Sequence, residues 1–572
     1  MLKLLRKSIP KHPRKWRFLH SEVRHYVRAF TGDHVQPLTE DTLTGRFLVY
    51  MGSNKIPHQA IPLDKVNLIA NFKSQRLDVK TADPSIISAM INALGDGNLV
   101  SNKYEIEDMF RTLDSGCCSR INEFTIEDHF NLLNAFTNII GHKVSKSNYF
   151  LLGLKLLTNQ KNHLNKEKLV HLMFYIGLLK KNHVAQDMIR QCIKLFTKET
   201  IDNLTRENLC IICNSTFKTS TKIKNFLLLD RIKSYINNNL NLLNDAAVFV
   251  TFLKTLRHNR YQDEDILNTI TCTMFFNETL QYYSFSAMCH ILALYADFLF
   301  YDENVLNTLT SRCLEQLKNS TFTSKNTYLI DQPRTKDIKR LLWALSNLGY
   351  KLSQEDVDNV IMSHIRVRIQ AGEFVNDQGS LVQMILYLWM MQYKARDLIR
   401  EVLTAEVAKG IWGNQVTCIE SLNLLLTCIY YEDPELFYQL NLRPQQTSSS
   451  AYNQNIQLAK RPTLQTIVDN LKSIAVQNGI DKYEVGCQVP FINIIGIAGF
   501  QKKIYKTVNI EVLDQYTCLK NTDNVPSGLM KLKLRILDRC DEGLIVIEER
   551  DIVDYTSVEM QQILEEEISL VC

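Results

Sequence analysis

Residues 335–350 read TKDIKRLLWALSNLGY. Ile338, Leu341, Leu342, Leu345 and Leu348 recur at i, i+3, i+4, i+7 and i+10, a spacing that gathers them on one face of an α-helix. Thr335 is placed to cap the N-terminus, and Asp337 falls in the first turn, where a negative charge meets the helix dipole. Gly349 follows the last apolar residues, where a left-handed C-terminal closure is needed. A second helical pattern runs from Gln354 to about Gln370, so the unit is a pair of helices joined by a turn.

The unit recurs. Comparable openings stand at Phe124 (FTIEDHFNLLNAF), Leu164 (LNKEKLVHLMFYIGLL), Leu204 (LTRENLCIICNSTF), Leu243 (LNDAAVFVTFLKTL) and Ser284 (SFSAMCHILALYA). Their spacings are 40, 40, 39 and 41 residues. Thr335 follows after 51, and Asp377 (NDQGSLVQMILYLWMM) after 42 more. A period near 40 with two helices per unit predicts an α-solenoid of helix–turn–helix repeats over residues 83–440. The plainer alternative is a helical domain whose helices happen to be evenly spaced.

The chain has 572 residues, too many for a single core, but stacked repeats need none because each contacts only its neighbours. Fourteen cysteines in a long chain, mostly inside apolar helical runs, read as reduced thiols rather than a disulfide framework. No run reaches the ~18 apolar residues of a membrane span. The net charge of +5 is uneven. Residues 1–28 hold nine Lys/Arg and one acid, which leaves 57 basic and 60 acidic residues, or −3, in the remainder. Any basic surface must therefore come from segregation of charge.

Residues 1–33 begin MLKLLRKSIPKHPRKWRFLH, without an acid before Glu22. An Arg/Lys-rich, acid-free start predicts a mitochondrial (matrix) targeting segment, a solvated basic tail or a nuclear-type basic cluster being the alternative. Residues 34–82 read as a loosely helical N-terminal cap. Asp83-Pro84 opens a helix, with Pro84 at its first position. Residues 441–463 (NLRPQQTSSSAYNQNIQLAKRPT) have the composition of a linker. From 464 to 572 a helix precedes short β-branched runs (VPFINIIGIAG, TVNIEVL, GLIVIEE), with the helical SGLMKLKLRILDRC between the last two and an acidic helix at the end. That order predicts a small α/β domain.

Three segments, DIKRLLWALSNLGYKL, LTRENLCIICNSTFKTSTKI and NIEVLDQY with GLMKLKLRILDRCDEGLIVI, together resemble the FAST kinase domain-containing family of mitochondrial RNA proteins. The resemblance covers roughly residues 85–572. It implies that residues 464–572 form a RAP domain of restriction-endonuclease-like fold, and that the partners are single-stranded mitochondrial RNA and other proteins of mitochondrial RNA granules. Kinase activity is not expected. No GxGxxG loop follows a strand, and neither a VAIK-type lysine nor an HRD or DFG motif is present; Gly496-Ile497-Ala498-Gly499 lacks the lysine and hydroxyl that hold a triphosphate.

The resemblance also implies a catalytic candidate. Strand-end carboxylates Glu511 and Asp514, beside Lys533, would hold Mg²⁺ or Mn²⁺ and activate water for phosphodiester cleavage. The sequence departs from that pattern. Glu511-Val512-Leu513 lacks a lysine two residues on, and Gln515-Tyr516 stand where the family usually has Gly-Pro and a later His. The alternative is that Glu511 and Asp514 cap structure or pair with Lys533 or Arg535. No other cofactor or resident metal is expected. Cys210-Ile211-Ile212-Cys213 reads as core, because no second Cys or His pair stands at zinc-binding spacing.

For RNA contact the candidates are Lys218, Lys222, Lys224, Arg231 and Lys233, interleaved with Phe217, Phe226 and Tyr235. Arg340 stands with Arg334, Lys336 and Lys339, and His364, Arg366 and Arg368 form a third group. Lys502, Lys503, Lys531 and Arg535 supply the C-terminal domain. Lysines and arginines that follow phosphates, with aromatic rings on which unstacked bases stack, suit single-stranded RNA. The expected function is RNA binding in the processing, stability or translation of mitochondrial transcripts. A metal-dependent ribonuclease centred on Glu511 and Asp514 and a protein-binding helical scaffold are the alternatives.

Overall fold

The computed structural model describes residues 65–571 together with 45–47 and 51, apart from short stretches at 75–77, 95–102, 141–143, 240–243, 277–279, 281–282, 321–332, 414–415, 446–453, 503–505 and 541. The segment expected to direct targeting lies outside the described residues, as does most of the cap region up to residue 64. The chain is mostly helical, with one four-stranded sheet near its C-terminus. It divides into two compact units, Met1–Tyr235 and Ile236–Cys572.

The opening helices of the successive pairs carry the architecture. In the first unit they are α1 (Pro84–Leu94), α2 (Ile126–Ile140), α3 (Lys166–Leu178) and α4 (Arg206–Thr219). In the second unit they are α5 (Ala246–Asn259), α6 (Phe285–Phe298), α7 (Thr335–Asn347), α8 (Gln378–Met390) and α9 (Val416–Glu432). Within the first unit α1 packs on α2 and α3 on α4, while Phe130 of α2 meets Tyr175 of α3 with ring centroids 6.3 Å apart. Within the second unit α5 through α9 pack each on the next. The intervening helices, such as Glu303–Asn319 between α6 and α7, lie between these contacts in sequence.

Local chemistry sets the boundaries. Asn165, Thr205, Asp245, Ser284 and Asp377 each stand at an N-cap and accept a backbone N–H from inside the helix they open. Thr335 is a correction: it is the first helical residue of α7, and Arg334 holds the cap position without a side-chain cap bond. The Asp337 carboxylate takes over that end of the helix, accepting from Arg334 Nε (2.6 Å) and Arg340 Nη1 (2.5 Å), while the Thr335 hydroxyl donates to Glu373. The helix following α7 covers Gln354–Gln370 as expected, with a π-helical stretch at Val357–Met362.

Five of the opening helices, α4 to α8, close in one recurring way. Gly349 has φ +60°, and Tyr350 N–H donates to the Leu345 carbonyl at 3.0 Å, the left-handed closure expected after α7. Ser220, Arg260, Leu299 and Gln392 adopt the same left-handed conformation after α4, α5, α6 and α8, each with the equivalent backbone bond one residue on. Only one of these five positions is a glycine.

Residues 454–571 form the C-terminal module. α10 (Pro462–Ile474) leads into strands β1 (Lys482–Gly486), β2 (Gly496–Gln501) and β3 (Lys506–Leu513). α11 (Gly528–Leu537) then crosses over to β4 (Gly543–Glu548), and α12 (Ser557–Val571) ends the chain. The sheet order is β1-β2-β3-β4, antiparallel except for the parallel β3–β4 pair. Val508, Ile510 and Val512 of β3 face a core shared with α10 and α12, whereas Leu513 packs with Met530 of α11. Two expectations are corrected. A strand, Lys482–Gly486, precedes those read from the sequence, and Val489–Ile495 is irregular, leaving only the end of that apolar run as β2. The stretch read as a linker also contains a helix, Gln454–Lys460, and the buried Arg461.

Within the second unit the module is stitched to the helical row. α11 packs on α7, α8 and α9. Arg535 ion-pairs with Glu432 and donates to the carbonyls of Trp389 (3.2 Å) and Met390 (3.3 Å). The Lys520 backbone bonds Leu299 and Tyr301, and its ammonium reaches Glu264 at 2.9 Å. Gly528 opens α11 so close to α7 that a Cβ there would overlap the Ser346 carbonyl.

Two outcomes test this arrangement. Gly528→Ala should loosen α11 by about 1–3 kcal/mol, because the obstacle is backbone that cannot rotate away. It reads as faster hydrogen exchange of the α11 amides. At exposed Arg260, Arg260→Val should lower the thermal midpoint, and Arg260→Gly should stabilise by up to about 1 kcal/mol, since only glycine adopts the left-handed conformation freely.

Candidate nucleic-acid interface and a buried acid–lysine pair

The structure brings two of the three catalytic candidates together. Glu511 lies near the end of β3 and Lys533 on α11, and both are fully buried as an ion pair. Alternation along β3 turns Glu511 away from the Ile510 core and toward α11. Lys533 Nζ also donates to Gln488 Oε1 (2.7 Å) and to the Ile494 carbonyl (2.9 Å). Gly496 leaves room for the carboxylate, which any side chain there would overlap. Burial raises the Glu511 pKa against the pull of Lys533, and burial lowers that of Lys533 against the pull of Glu511.

Asp514 stands apart from this pair. Arg461 holds it at 2.6 Å, with Arg461 Nη1 on the Ile495 carbonyl (2.6 Å) and Nη2 on the Val512 carbonyl (2.9 Å). Asp514 also accepts the backbone N–H groups of Tyr516 (2.9 Å) and Thr517 (3.2 Å), closing the turn after β3. These residues do not fit a resident divalent metal. A hard cation needs several converging oxygens, yet one carboxylate is neutralised by a buried ammonium and the other by a guanidinium and a turn. Among the described residues no three His, Cys, Asp or Glu side chains stand close enough to hold a metal ion.

The basic candidates are scattered differently from their sequence clusters. In the first unit Lys222 and Lys224 are exposed, and Arg231 and Lys233 half-buried. Lys218 is half-buried, its ammonium pushed down to about 8 by burial and by Lys180. Phe217 and Phe226 are exposed beside them. In the C-terminal module much of the expected basicity is engaged inside the fold. Arg535 is held by Glu432, Lys533 by Glu511 and Lys520 by Glu264, while Lys506 Nζ donates to the Val571 carbonyl at 2.6 Å. Lys531 packs against Gly349. Lys502 is exposed, and Lys503 lies outside the described residues. The module is thus less available to phosphates than its composition suggests.

On α7, Arg334, Lys336, Lys339 and Arg340 surround Asp337 as the one acid between residues 334 and 340. Sequence reasoning missed what neighbouring helices add. The sixth residues of α5 through α9 are Thr251, His290, Arg340, Gln383 and Ser421, all of them polar. Aligning the helix starts would have exposed this row. Gln383 Nε2 donates to Ser421 at 3.4 Å, and Lys339 Nζ donates to Gln383 at 3.0 Å. Arg461 was missed because it sits in a stretch of linker composition.

Fold and site together define a mostly helical protein with a small four-stranded mixed sheet near its C-terminus and a buried acid–lysine pair. No known family model matches the chain. It is similar to FAST kinase domain-containing protein 5, mitochondrial, of Homo sapiens, at 22% identity over 292 residues, 51% of this chain and 35% of that protein. The protein of the same name from Pongo abelii is 22% identical over 243 residues, 42% of this chain and 29% of its own length. The chain thus matches about a third of the length of these curated relatives.

The buried pair makes its own prediction. Lys533→Met should destabilise the module by about 3–5 kcal/mol, since it strands a carboxylate in the core, and Glu511→Leu added to it should recover most of that loss. In Lys533→Met the folded-state pKa of Glu511 rises above its unfolded value near 4.3. Its burden is then absent while both states are protonated and grows as pH climbs through the folded value. Denaturant unfolding should accordingly show a smaller deficit at acidic than at alkaline pH.

Proposed function

We propose that this chain is a mitochondrial member of the FAST kinase domain-containing family that binds single-stranded RNA and acts in the processing, stability or translation of mitochondrial transcripts. In this reading the helix pairs build a solenoid whose opening helices present cations to the phosphates. The C-terminal RAP-like module stiffens the end of that row. The observation that carries the reading is the group Arg334, Lys336, Lys339 and Arg340 around the single Asp337 on α7, in a chain whose excess charge lies elsewhere. The distant similarity to proteins named mitochondrial supports the compartment.

Charge separates this from a protein-binding scaffold. A surface built to bury apolar partners would not concentrate cations on one helix start. No helix among the described residues is long and apolar enough to cross a membrane. Cleavage is not part of the proposal, because Glu511 and Asp514 are committed to Lys533 and Arg461.

The test is titration of the full chain with a fluorescein-labelled single-stranded oligouridylate across a salt series. The logarithm of affinity should fall linearly with log[salt], by roughly 0.7 for each phosphate engaged. Binding that ignores salt, or that favours duplex RNA equally, would overturn the proposal.

A further inference from the structure

Around the start of α7 the helical row assembles a site that no one helix shows. α5 contributes Lys254 and Arg257, α6 contributes His290, and α7 contributes Arg334, Lys336, Arg340 and Trp343. All lie in the second unit. The charges are close enough to act on one another: Arg340, Arg334 and Lys336 all bear on Lys254, while Lys254, Arg340, Arg257 and Arg334 bear on His290. Counter-charge is sparse. Asp337 is shared between Arg334 and Arg340, and Asp297 receives Arg257 Nε at 2.5 Å. Among the described residues Arg334 and Arg340 thus share one carboxylate with Lys336 close by, and Lys339 is turned aside to Ser380 and Gln383.

His290 supplies an independent observation. It is 6% exposed, and its Nδ1 has no hydrogen-bond partner among the described residues. A buried ring nitrogen without a partner is unfavourable unless something outside the chain meets it. Burial and the surrounding cations keep this imidazole neutral, so it can offer a hydrogen bond without adding to the repulsion. Half-buried Trp343 lies alongside, with the Arg257 guanidinium over its ring at 5.7 Å from the centroid. Ring and guanidinium planes are the surfaces on which unstacked bases settle.

We propose that Lys254, Arg257, His290 and Arg340 form a phosphate subsite for one nucleotide of a single-stranded RNA, with Trp343 stacking its base. The assignment rests on the RNA-binding reading and adds the place where one nucleotide is held. A phosphate would add a second anion to Arg334, Lys336 and Arg340, which gather around the single carboxylate of Asp337. In agreement, the ammonium of Lys254 is held down to about 8 by burial and by its cationic neighbours, a position that an arriving phosphate would reverse. The subsite is specific to a strand with free bases, because a ring can reach the face of a base only where that base is unstacked.

The experiment uses the full chain and the labelled oligouridylate, with wild type, Lys254→Gln and Trp343→Leu compared after circular dichroism confirms folding. Lys254→Gln should lower affinity at least about threefold and make the salt slope shallower by roughly 0.7. Trp343→Leu should lower affinity about tenfold and leave the slope unchanged. Ultraviolet crosslinking of wild type to 4-thiouridine RNA, which needs no variant, should map to the peptide containing Trp343. If wild type fails to bind the oligonucleotide, the RNA reading itself falls. If wild type binds, yet both folded variants match it in affinity and slope, or the crosslink maps away from α7, the subsite is overturned and RNA binding stands.

Discussion

In the second unit the opening helices α6, α7 and α8 each pack between the opening helices before and after them, and the rest of that unit depends on their burial. In α6 nearly every residue is shielded from water, including Phe285, Met288, Ile291, Leu292, Leu294 and Tyr295, and α8 is similar from Gly379 to Met390. At about 25 cal/mol per Å² of apolar surface, such a helix is stable only while the helices before and after it remain in place. Stability is therefore local and shared between neighbours, as in stacked repeat arrays. The last of these helices, α9, needs a cover. α11 provides one, with Arg535 fastened to Glu432 and to the carbonyls at the end of α8.

That dependence explains why the terminal module is rich in buried charge. Arg461–Asp514 ties α10 to the turn after β3, and Lys533–Glu511 ties α11 to β3 itself. Buried ion pairs add little net stability over apolar contacts of the same volume. They do penalise any arrangement that separates the partners, and so hold α11 at one height on the sheet. The opposite side of α11, which carries Arg535, then meets α7, α8 and α9 in a single register. The buried Lys533–Glu511 pair thereby fixes how α11 sits on β3.

The cluster of α5, α6 and α7 departs from this economy. Asp337 is 1% exposed and engaged by two arginines, and His290 near those arginines keeps a ring nitrogen with no partner among the described residues. The sixth position is polar in every opening helix from α5 to α9, from Thr251 to Ser421. A consistent fold breaks its own local rules mainly where something other than folding is served.

Helix identity and period were legible from residues alone. Apolar spacing, Asn, Thr, Asp and Ser at the caps, and the near-40-residue recurrence are local properties of the chain, and the helices form where these signals stand. Gly349 could be read as a closure because glycine reaches the left-handed region freely. Ser220, Arg260, Leu299 and Gln392 could not, because there the packing of the next helix imposes the conformation against intrinsic preference. The edge strand Lys482–Gly486 was equally hidden, being short, half-exposed and held by its pairing with β2. The sequence could propose Glu511, Asp514 and Lys533 as one group, but contacts between residues distant along the chain decide which charges meet. Only the folded chain joined Lys533 to Glu511, gave Asp514 to Arg461, and set Lys254 and His290 beside Arg340, because a partner's identity depends on where its helix is stacked and not on its neighbours in sequence.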